Sequence, residues 1–143
     1  MKKISRLEPV FTTAIPEKLE PGKIYVSIEY ATISHLCCCG CAREVVTPLT
    51  PIDWKLTYDG ETISMHPSIG NWSFPCRSHY WIRNGRIKWA DDWTPEQVQA
   101  GRARDRRAKE RQFGETPNAA PNPNQGTHST SGFWDWLKRL WKK

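Results

Sequence analysis

The chain has 143 residues, a net charge of +6 and 38% hydrophobic residues, which suits one compact domain with a tail and is too short for two full domains. The charge is uneven, with 11 Lys and Arg against 10 Asp and Glu in residues 1–93, 6 against 3 in residues 94–113 and 4 against 2 in residues 114–143. Because the first 93 residues are almost neutral, nucleic acid is not an expected partner. The chain starts with polar residues and not with an apolar run, so we expect no signal peptide and a cytoplasmic protein.

The first strand and the first hairpin are predicted from the alternation of apolar and polar residues. Residues 24–30 alternate in this way, with every second side chain apolar, which is typical of a half-buried strand. Further along, Asp59-Gly60 stands between two alternating runs and favours a two-residue hairpin turn. Pairing outward from this turn places Leu56 opposite Ile63 on the core side.

A second hairpin is predicted around Asn84-Gly85, because these residues accept the positive φ angles of a tight turn. Pairing outward places Ile82 opposite Ile87 on the apolar side and turns the side chain of His79 to the other face. Val45-Val46 predicts one more short strand. The predicted fold class is therefore mainly β, a small domain of antiparallel hairpins.

The C-terminal third of the chain is predicted to be helix, linker and helix. Thr94, Pro95 and Gln97 have the spacing of an N-cap, a first helical residue and a capping box, and the helix that follows is mostly charged. Beyond a Pro- and Asn-rich stretch, residues 133–143 place aromatic and basic side chains at helical spacing, which suits contact with a membrane surface or a partner groove. The predicted organisation is a β domain, a charged helix, a flexible linker and an amphipathic docking helix, at residues 1–93, 94–113, 114–131 and 132–143.

All five cysteines lie in two short pieces of the chain, four of them within residues 37–41. In a reducing compartment such a cluster indicates thiolate ligands more than disulfides. If the first piece is extended, alternate side chains share a face, so that Cys37, Cys39 and Cys41 converge while Cys38 points away. Cys76 then completes the four-thiolate set of a structural zinc site. Zinc is thus the expected cofactor, a staple that joins the first strand to the second half of the domain.

Other interpretations of the cysteines stay open. His35 or His79 is an alternative ligand in place of one thiol. A second alternative is that no metal is bound and the cysteines are reduced and buried as small apolar core residues. Redox catalysis is disfavoured, because the chain has no Cys-x-x-Cys at a helix start.

Candidate catalytic residues lie between the two hairpins, in a predicted loop at residues 66–79. A nucleophilic serine needs a base within hydrogen-bond reach and amides that face the developing oxyanion. Ser68, followed closely by Gly70, offers a hydroxyl and exposed backbone N–H groups. His79 is the preferred base, because the hairpin register places it on the face away from the core. Without a catalytic role, Ser68 would be an ordinary turn residue. His79 would then be a metal ligand, or it would donate a hydrogen bond to a metal ligand.

The other polar candidates have supporting roles. His35 is the rival base, brought near by the metal. Asn71 is a candidate to orient the imidazole or to donate to the oxyanion, and otherwise satisfies loop backbone. Asp59 is a more distant candidate orienter.

Several uncommon strings occur in order, namely His35-Leu36-Cys37-Cys38-Cys39-Gly40-Cys41, Val46-Thr47-Pro48-Leu49, Trp54-Lys55-Leu56, Asp59-Gly60, Pro67-Ser68-Ile69-Gly70-Asn71-Trp72 and Pro75-Cys76-Arg77-Ser78-His79-Tyr80-Trp81-Ile82. In these strings the chain resembles a small bacterial family encoded in ubiquitin-like (Bub-type) conjugation operons. The resemblance covers roughly residues 23–90 and leaves out the tail.

The resemblance implies a zinc-chelating serine peptidase that processes or removes a ubiquitin-like protein. Its expected partners are that protein and its activating and conjugating enzymes. Carried over residue by residue, it assigns the metal to Cys37, Cys39, Cys41 and Cys76. Ser68 and His79 are the best-matching polar pair, and Ser78 is the second candidate for the nucleophile. Cys38 stands where the family has a residue other than cysteine.

The first functional hypothesis is therefore acyl transfer to water, with Ser68 as nucleophile and His79 as proton shuttle. The alternative is a non-catalytic zinc-binding adaptor for the ubiquitin-like conjugation enzymes. A third hypothesis, nucleic-acid binding through residues 94–112, requires a steep loss of affinity with salt.

Overall fold

The computed structural model describes residues 3–114, so most of the predicted linker and all of the predicted docking helix lie outside the described residues. Within these residues the fold is mainly β, as predicted, with two four-stranded sheets and one helix. The strands of the first sheet are β1 (Glu8–Phe11), β2 (Lys23–Ser27), β3 (Thr32–Leu36) and β4 (Glu44–Pro48), in that spatial order. Those of the second are β5 (Lys55–Tyr58), β6 (Ile63–Gly70), β7 (His79–Arg83) and β8 (Arg86–Trp89), also in order.

The first sheet differs from the prediction where β2 turns into β3. Strand β2 ends at Ser27, and the side chains of Ile28 and Tyr30 are 65% and 63% exposed, so their predicted place on the buried side was wrong. The hydroxyl of Ser27 accepts the N–H of Tyr30 at 3.2 Å, and Ala31 takes a positive φ of 46°. This local hydrogen bond turns the chain before the alternation has run its length. Strand β1, which pairs with β2 in parallel, had no sequence signal.

The second sheet confirms one predicted register and corrects the other. Ile82 pairs with Ile87, as predicted from the Asn84-Gly85 turn. In the other hairpin Leu56 pairs with Met65 and not with Ile63. The carboxylate of Asp59 accepts the N–H groups of Glu61 and Thr62 at 2.9 and 2.6 Å. These bonds close a four-residue loop at 59–62, which moves the pairing by two positions and leaves the same face buried.

Strand β6 extends through the first part of the predicted loop at 66–79. It runs from Ile63 to Gly70, so Ser68 lies on a strand and not in a loop. The signal for a loop was Pro67, which cannot donate to a β ladder. The ladder with β7 shifts register between Met65 and Ile69, and this irregularity accommodates the proline.

Buried side chains of both sheets form one core cluster, which includes Ile24 and Ile33 from the first sheet and Ile63, Tyr80 and Ile82 from the second. The N-terminal segment joins the sheets through its backbone. The N–H of Leu7 donates to the carbonyl of Gly85 at 2.8 Å, the N–H of Ile87 to that of Ser5 at 2.9 Å, and the N–H of Ile4 to that of Cys38 at 2.8 Å. The segment therefore contacts the β7–β8 turn and the cysteine cluster together.

The single helix within residues 3–114, α1, spans Pro95–Phe113 and begins at the predicted Thr94 N-cap. The hydroxyl of Thr94 accepts the N–H of Gln97 at 3.3 Å, and the Gln97 side chain accepts the N–H of Thr94 at 2.8 Å, which completes the capping box. Only Val98 and Gly101 are buried on this helix, in agreement with the predicted solvated helix. No helix in the part of the chain described here has the length and apolar character needed to cross a membrane.

Candidate active site and metal centre

Four thiols lie together at one end of the two sheets. The Sγ atoms of Cys37, Cys39, Cys41 and Cys76 are all within 4.8 Å of one another. Cys37 is 3.4 Å from Cys39 and 3.9 Å from Cys76, and Cys41 is 3.9 Å from Cys76. Ligands about 2.3 Å from a tetrahedral zinc are about 3.8 Å apart, so these thiols fit the all-thiolate set of a structural zinc ion. The four residues are those predicted from the sequence.

The first three thiols converge through a tight turn and not through an extended segment. The N–H of Gly40 donates to the carbonyl of Cys37 at 3.0 Å, and Gly40 and Ala42 have φ angles of +89° and +59°. The predicted grouping is therefore correct although its predicted backbone was wrong. Cys38 is fully buried in the core, and burial raises the pKa of its thiol to about 12, as suits a neutral apolar residue.

Ser78 and Asn71, both candidates for chemistry, contact the thiols. The Ser78 hydroxyl is 3.1 Å from the Sγ of Cys37 and 3.6 Å from that of Cys76, and the Asn71 amide donates to Ser78 at 2.9 Å. Burial raises the pKa of the Cys76 thiol, but hydrogen bonds with Ser78, and with the thiols of Cys39 and Cys41, lower it to about 7. Burial raises the pKa of the Cys37 thiol as well, which favours its neutral form unless a cation is bound. Ser78 and Asn71 thus orient the candidate ligands.

His35, the rival base and alternative ligand, is fully buried. Its Nε2 lies 2.9 Å from the hydroxyl of Tyr80, and burial lowers its pKa to about 4. Its Nδ1 has no hydrogen-bond partner among residues 3–114. The structure pairs His35 with Tyr80 rather than with Ser68 or the thiols, which gives it the place of a neutral core residue.

His79 contacts Ser68. Its Nε2 lies 2.9 Å from the Ser68 Oγ, and its Nδ1 lies 2.7 Å from the main-chain carbonyl of Asp91. A carbonyl only accepts hydrogen bonds, so the proton of a neutral imidazole is on Nδ1 and Nε2 is free to accept from the Ser68 hydroxyl. This is the tautomer that a general base requires.

The orienting group for His79 is not one that the sequence suggested. Asp59 makes its hydrogen bonds within its own hairpin loop, and Asn71 bonds to Ser78. The carbonyl of Asp91 takes that position instead. The sequence does not mark this group, because a main-chain carbonyl has no residue signature. The one available signal was the position of Asp91 just after the second hairpin.

A cleft of about 320 Å³ opens over the Ser68–His79 pair. Strand β6, the residues around Trp72 and helix α1 line this cleft. The ring of Trp72 is 4.9 Å from that of His79 and stacks on Trp93 at 5.5 Å with an interplanar angle of 18°. The cleft therefore combines a hydroxyl and an oriented imidazole with walls that are aromatic on one side and carry Arg102, Arg104 and Asp105 of α1, an arrangement compatible with acyl transfer.

Comparison with known protein families shows which family the chain belongs to. Residues 11–90 match the model of BubE, described as the bacterial ubiquitination-like system serine protease. The chain belongs to the BubE family. The resemblance inferred from the sequence strings is thereby confirmed, and BubE membership places the chain among serine proteases of bacterial ubiquitination-like systems. No curated protein and no solved structure matches it. The BubE match ends before Asp91, Trp93 and α1.

Proposed function

We propose that this chain is a zinc-stabilised serine peptidase that processes a bacterial ubiquitin-like protein or removes it from conjugates. The observation that carries the proposal is the hydrogen-bonded series from Ser68 Oγ through His79 to the Asp91 carbonyl, at 2.9 and 2.7 Å. Membership of the BubE family supports the reaction class. The activating and conjugating enzymes of the same system are the other expected partners.

The mechanism follows from the protonation of His79. Ser68 Oγ attacks the carbonyl carbon of the scissile bond while Nε2 of His79 takes the hydroxyl proton. The imidazolium then returns that proton to the leaving amine as the C–N bond breaks. Water, deprotonated by the same Nε2, releases the acid and restores Ser68. The neutral carbonyl of Asp91 holds the imidazole orientation and stabilises the imidazolium with one hydrogen bond, where a carboxylate would add a full charge.

The metal centre supports this pair through the chain. Cys37, Cys39, Cys41 and Cys76 would hold zinc in a closed four-thiolate set, which supplies folding stability and leaves no coordination position for substrate. Cys76 lies three residues before His79 and Ser78 directly precedes it, and the N–H of Asn71 donates to the Ser78 carbonyl at 2.9 Å. The centre therefore fixes the start of β7, which carries the base.

The test compares Ser68, which contacts His79, with Ser78, which contacts the thiols. The purified chain is incubated with the ubiquitin-like precursor from its own operon, and the products are read by intact mass. Ser68→Ala is expected to abolish cleavage and labelling by a fluorophosphonate, whereas Ser78→Ala is expected to keep both when zinc is saturating. Cleavage retained in Ser68→Ala contradicts the proposal. Tight binding of the ubiquitin-like protein by the wild type, with neither turnover nor labelling, supports the adaptor function instead.

A further inference from the structure

Two stacked indole rings lie between two glycines beside His79. A Cβ atom on Gly70 would clash with Nε1 of Trp72, and a Cβ on Gly101 would be 3.1 Å from Cζ3 of Trp93. Neither glycine has a positive φ, so the backbone does not explain their presence. The lack of room explains them, because a side chain at either position would displace the neighbouring indole ring.

The stack contacts the imidazole of His79 through both of its rings. The ring centroid of His79 is 4.9 Å from that of Trp72 and 5.3 Å from that of Trp93, with interplanar angles of 59° and 73°. These edge contacts restrict rotation of the imidazole about χ2, a torsion that is intrinsically soft. The hydrogen bond from Nδ1 to Asp91 depends on that rotation.

Arg77 contacts both tryptophans of the stack. Its Nη2 donates to the carbonyl of Trp93 at 2.8 Å and to the carboxylate of Asp92 at 3.1 Å, and its guanidinium lies 5.5 Å from the centre of the Trp72 ring. The segment after β8 is thereby attached to the loop before β7. Both the Asp91 carbonyl and the Trp93 ring reach His79 from this segment.

We propose that Trp93, held in place by Gly101 of α1, is a positioning residue for His79. The inference rests on the proposed function, and it assigns part of the catalytic apparatus to a segment beyond the residues that match the BubE family. Without the Trp93 ring the imidazole gains rotational freedom and loses its fixed hydrogen bond to Asp91. The proton then distributes between Nδ1 and Nε2, and fewer molecules hold a base ready for Ser68.

The first experiment measures the second-order rate at which a fluorophosphonate labels Ser68 in the full chain. This small probe removes contributions from substrate binding. A misplaced catalytic group costs on the order of 10²-fold in rate, so we expect Trp93→Ala to lower the labelling rate by about that factor, and Trp93→Phe to keep most of the rate. Gly101→Leu should also lower it, because the new side chain displaces Trp93, although Leu favours a helix more than Gly does. Arg107→Ala, an exposed change on α1, is the matched control and should label like the wild type.

The second readout is the tautomer of His79, observed through the ¹⁵N shifts of its ring. The wild type and Arg107→Ala should show a proton on Nδ1, whereas Trp93→Ala and Gly101→Leu should show a mixture. Unchanged labelling and an unchanged tautomer in folded Trp93→Ala or Gly101→Leu overturn the inference. If the wild type itself is not labelled, the proposed function fails, and the tautomer measurement still decides whether Trp93 positions His79.

Discussion

Ser68 lies diagonally across the β6–β7 ladder from His79, with 2.9 Å between Oγ and Nε2. Gly70 is directly opposite His79 in this ladder, and Ser68 is two residues further along the same face. Diagonal neighbours on one face of a ladder are within reach of long side chains, which here brings a hydroxyl and an imidazole into contact. Because Gly70 has no side chain, the ring of Trp72 occupies the space beside the histidine.

The base is tested by His79→Gln. General-base catalysis contributes typically about 10²- to 10⁴-fold, so the fluorophosphonate labelling rate of Ser68 should fall by a factor in that range. His35→Gln is the comparison, because His35 pairs with Tyr80 in the core and should alter stability without removing the base. A folded His79→Gln chain that labels at the wild-type rate is incompatible with the proposed pair.

The candidate metal ligands are tested by comparing the zinc content of their variants with that of a Cys38 variant. Native mass spectrometry should find one zinc ion per chain in the wild type and in Cys38→Ala, and none in Cys39→Ser or Cys76→Ser. Cys38→Ala removes only a buried apolar thiol and should lower the free energy of unfolding by about 1 kcal/mol. Loss of zinc from Cys38→Ala, or its retention in Cys76→Ser, would show that the ligand set is wrong.

Ser78 is expected to tune the affinity for zinc. Its hydroxyl is within 3.1 Å of Cys37 and 3.6 Å of Cys76, and removing such an outer hydrogen bond typically weakens metal binding about 10- to 100-fold. Competition with a chromophoric chelator measures the change in Ser78→Ala. Ser78→Thr, which keeps the hydroxyl, is the matched control. Equal affinities in the wild type and Ser78→Ala would remove this role.

The close contact between Gly70 and Trp72 gives a double-mutant prediction. Gly70→Ala forces the indole away from the strand, and such overpacking lowers the free energy of unfolding by about 1–3 kcal/mol. Trp72→Phe in the same chain gives the new methyl group room, so the two changes should be less than additive. Urea unfolding of the wild type, both single variants and the double variant, followed by circular dichroism with zinc saturating, measures the coupling. Strict additivity would mean that the contact is not a constraint.

Local signals in the sequence predicted the parts of the fold that local chemistry determines. Asn84-Gly85 fixed its hairpin register and Thr94 its helix start, because each acts on residues next to it. The Asp59-Gly60 register was wrong because the Asp59 side chain closes a longer loop than the dipeptide alone suggests. The parallel pairing of β1 with β2 depends on contacts distant in sequence, and no local pattern marks it.

The candidate site was predictable where residue type carries the chemistry. The clustered cysteines predicted the group of four thiols that could hold a metal ion, and the hairpin register placed His79 on the face where Ser68 lies. The main-chain carbonyl of Asp91 has no such signature, and Trp93 is held beside His79 by Gly101 and by Arg77, contacts that no local pattern marks. Ser78 and Asn71 were candidates for catalysis, and the structure places Ser78 3.1 Å from the Cys37 thiol and Asn71 2.9 Å from Ser78, a proximity that no spacing in the sequence predicts.

The N-terminal segment bonds to parts of the chain that are made much later. Leu7 and Ser5 pair with Gly85 and Ile87, about eighty positions away, and Ile4 pairs with Cys38 next to the metal centre. During synthesis Ser5 and Leu7 leave the ribosome long before the β7–β8 hairpin does, so their paired backbone groups stay in water until that hairpin has been made. Final closure of the two sheets is thus a late event in the life of the nascent chain.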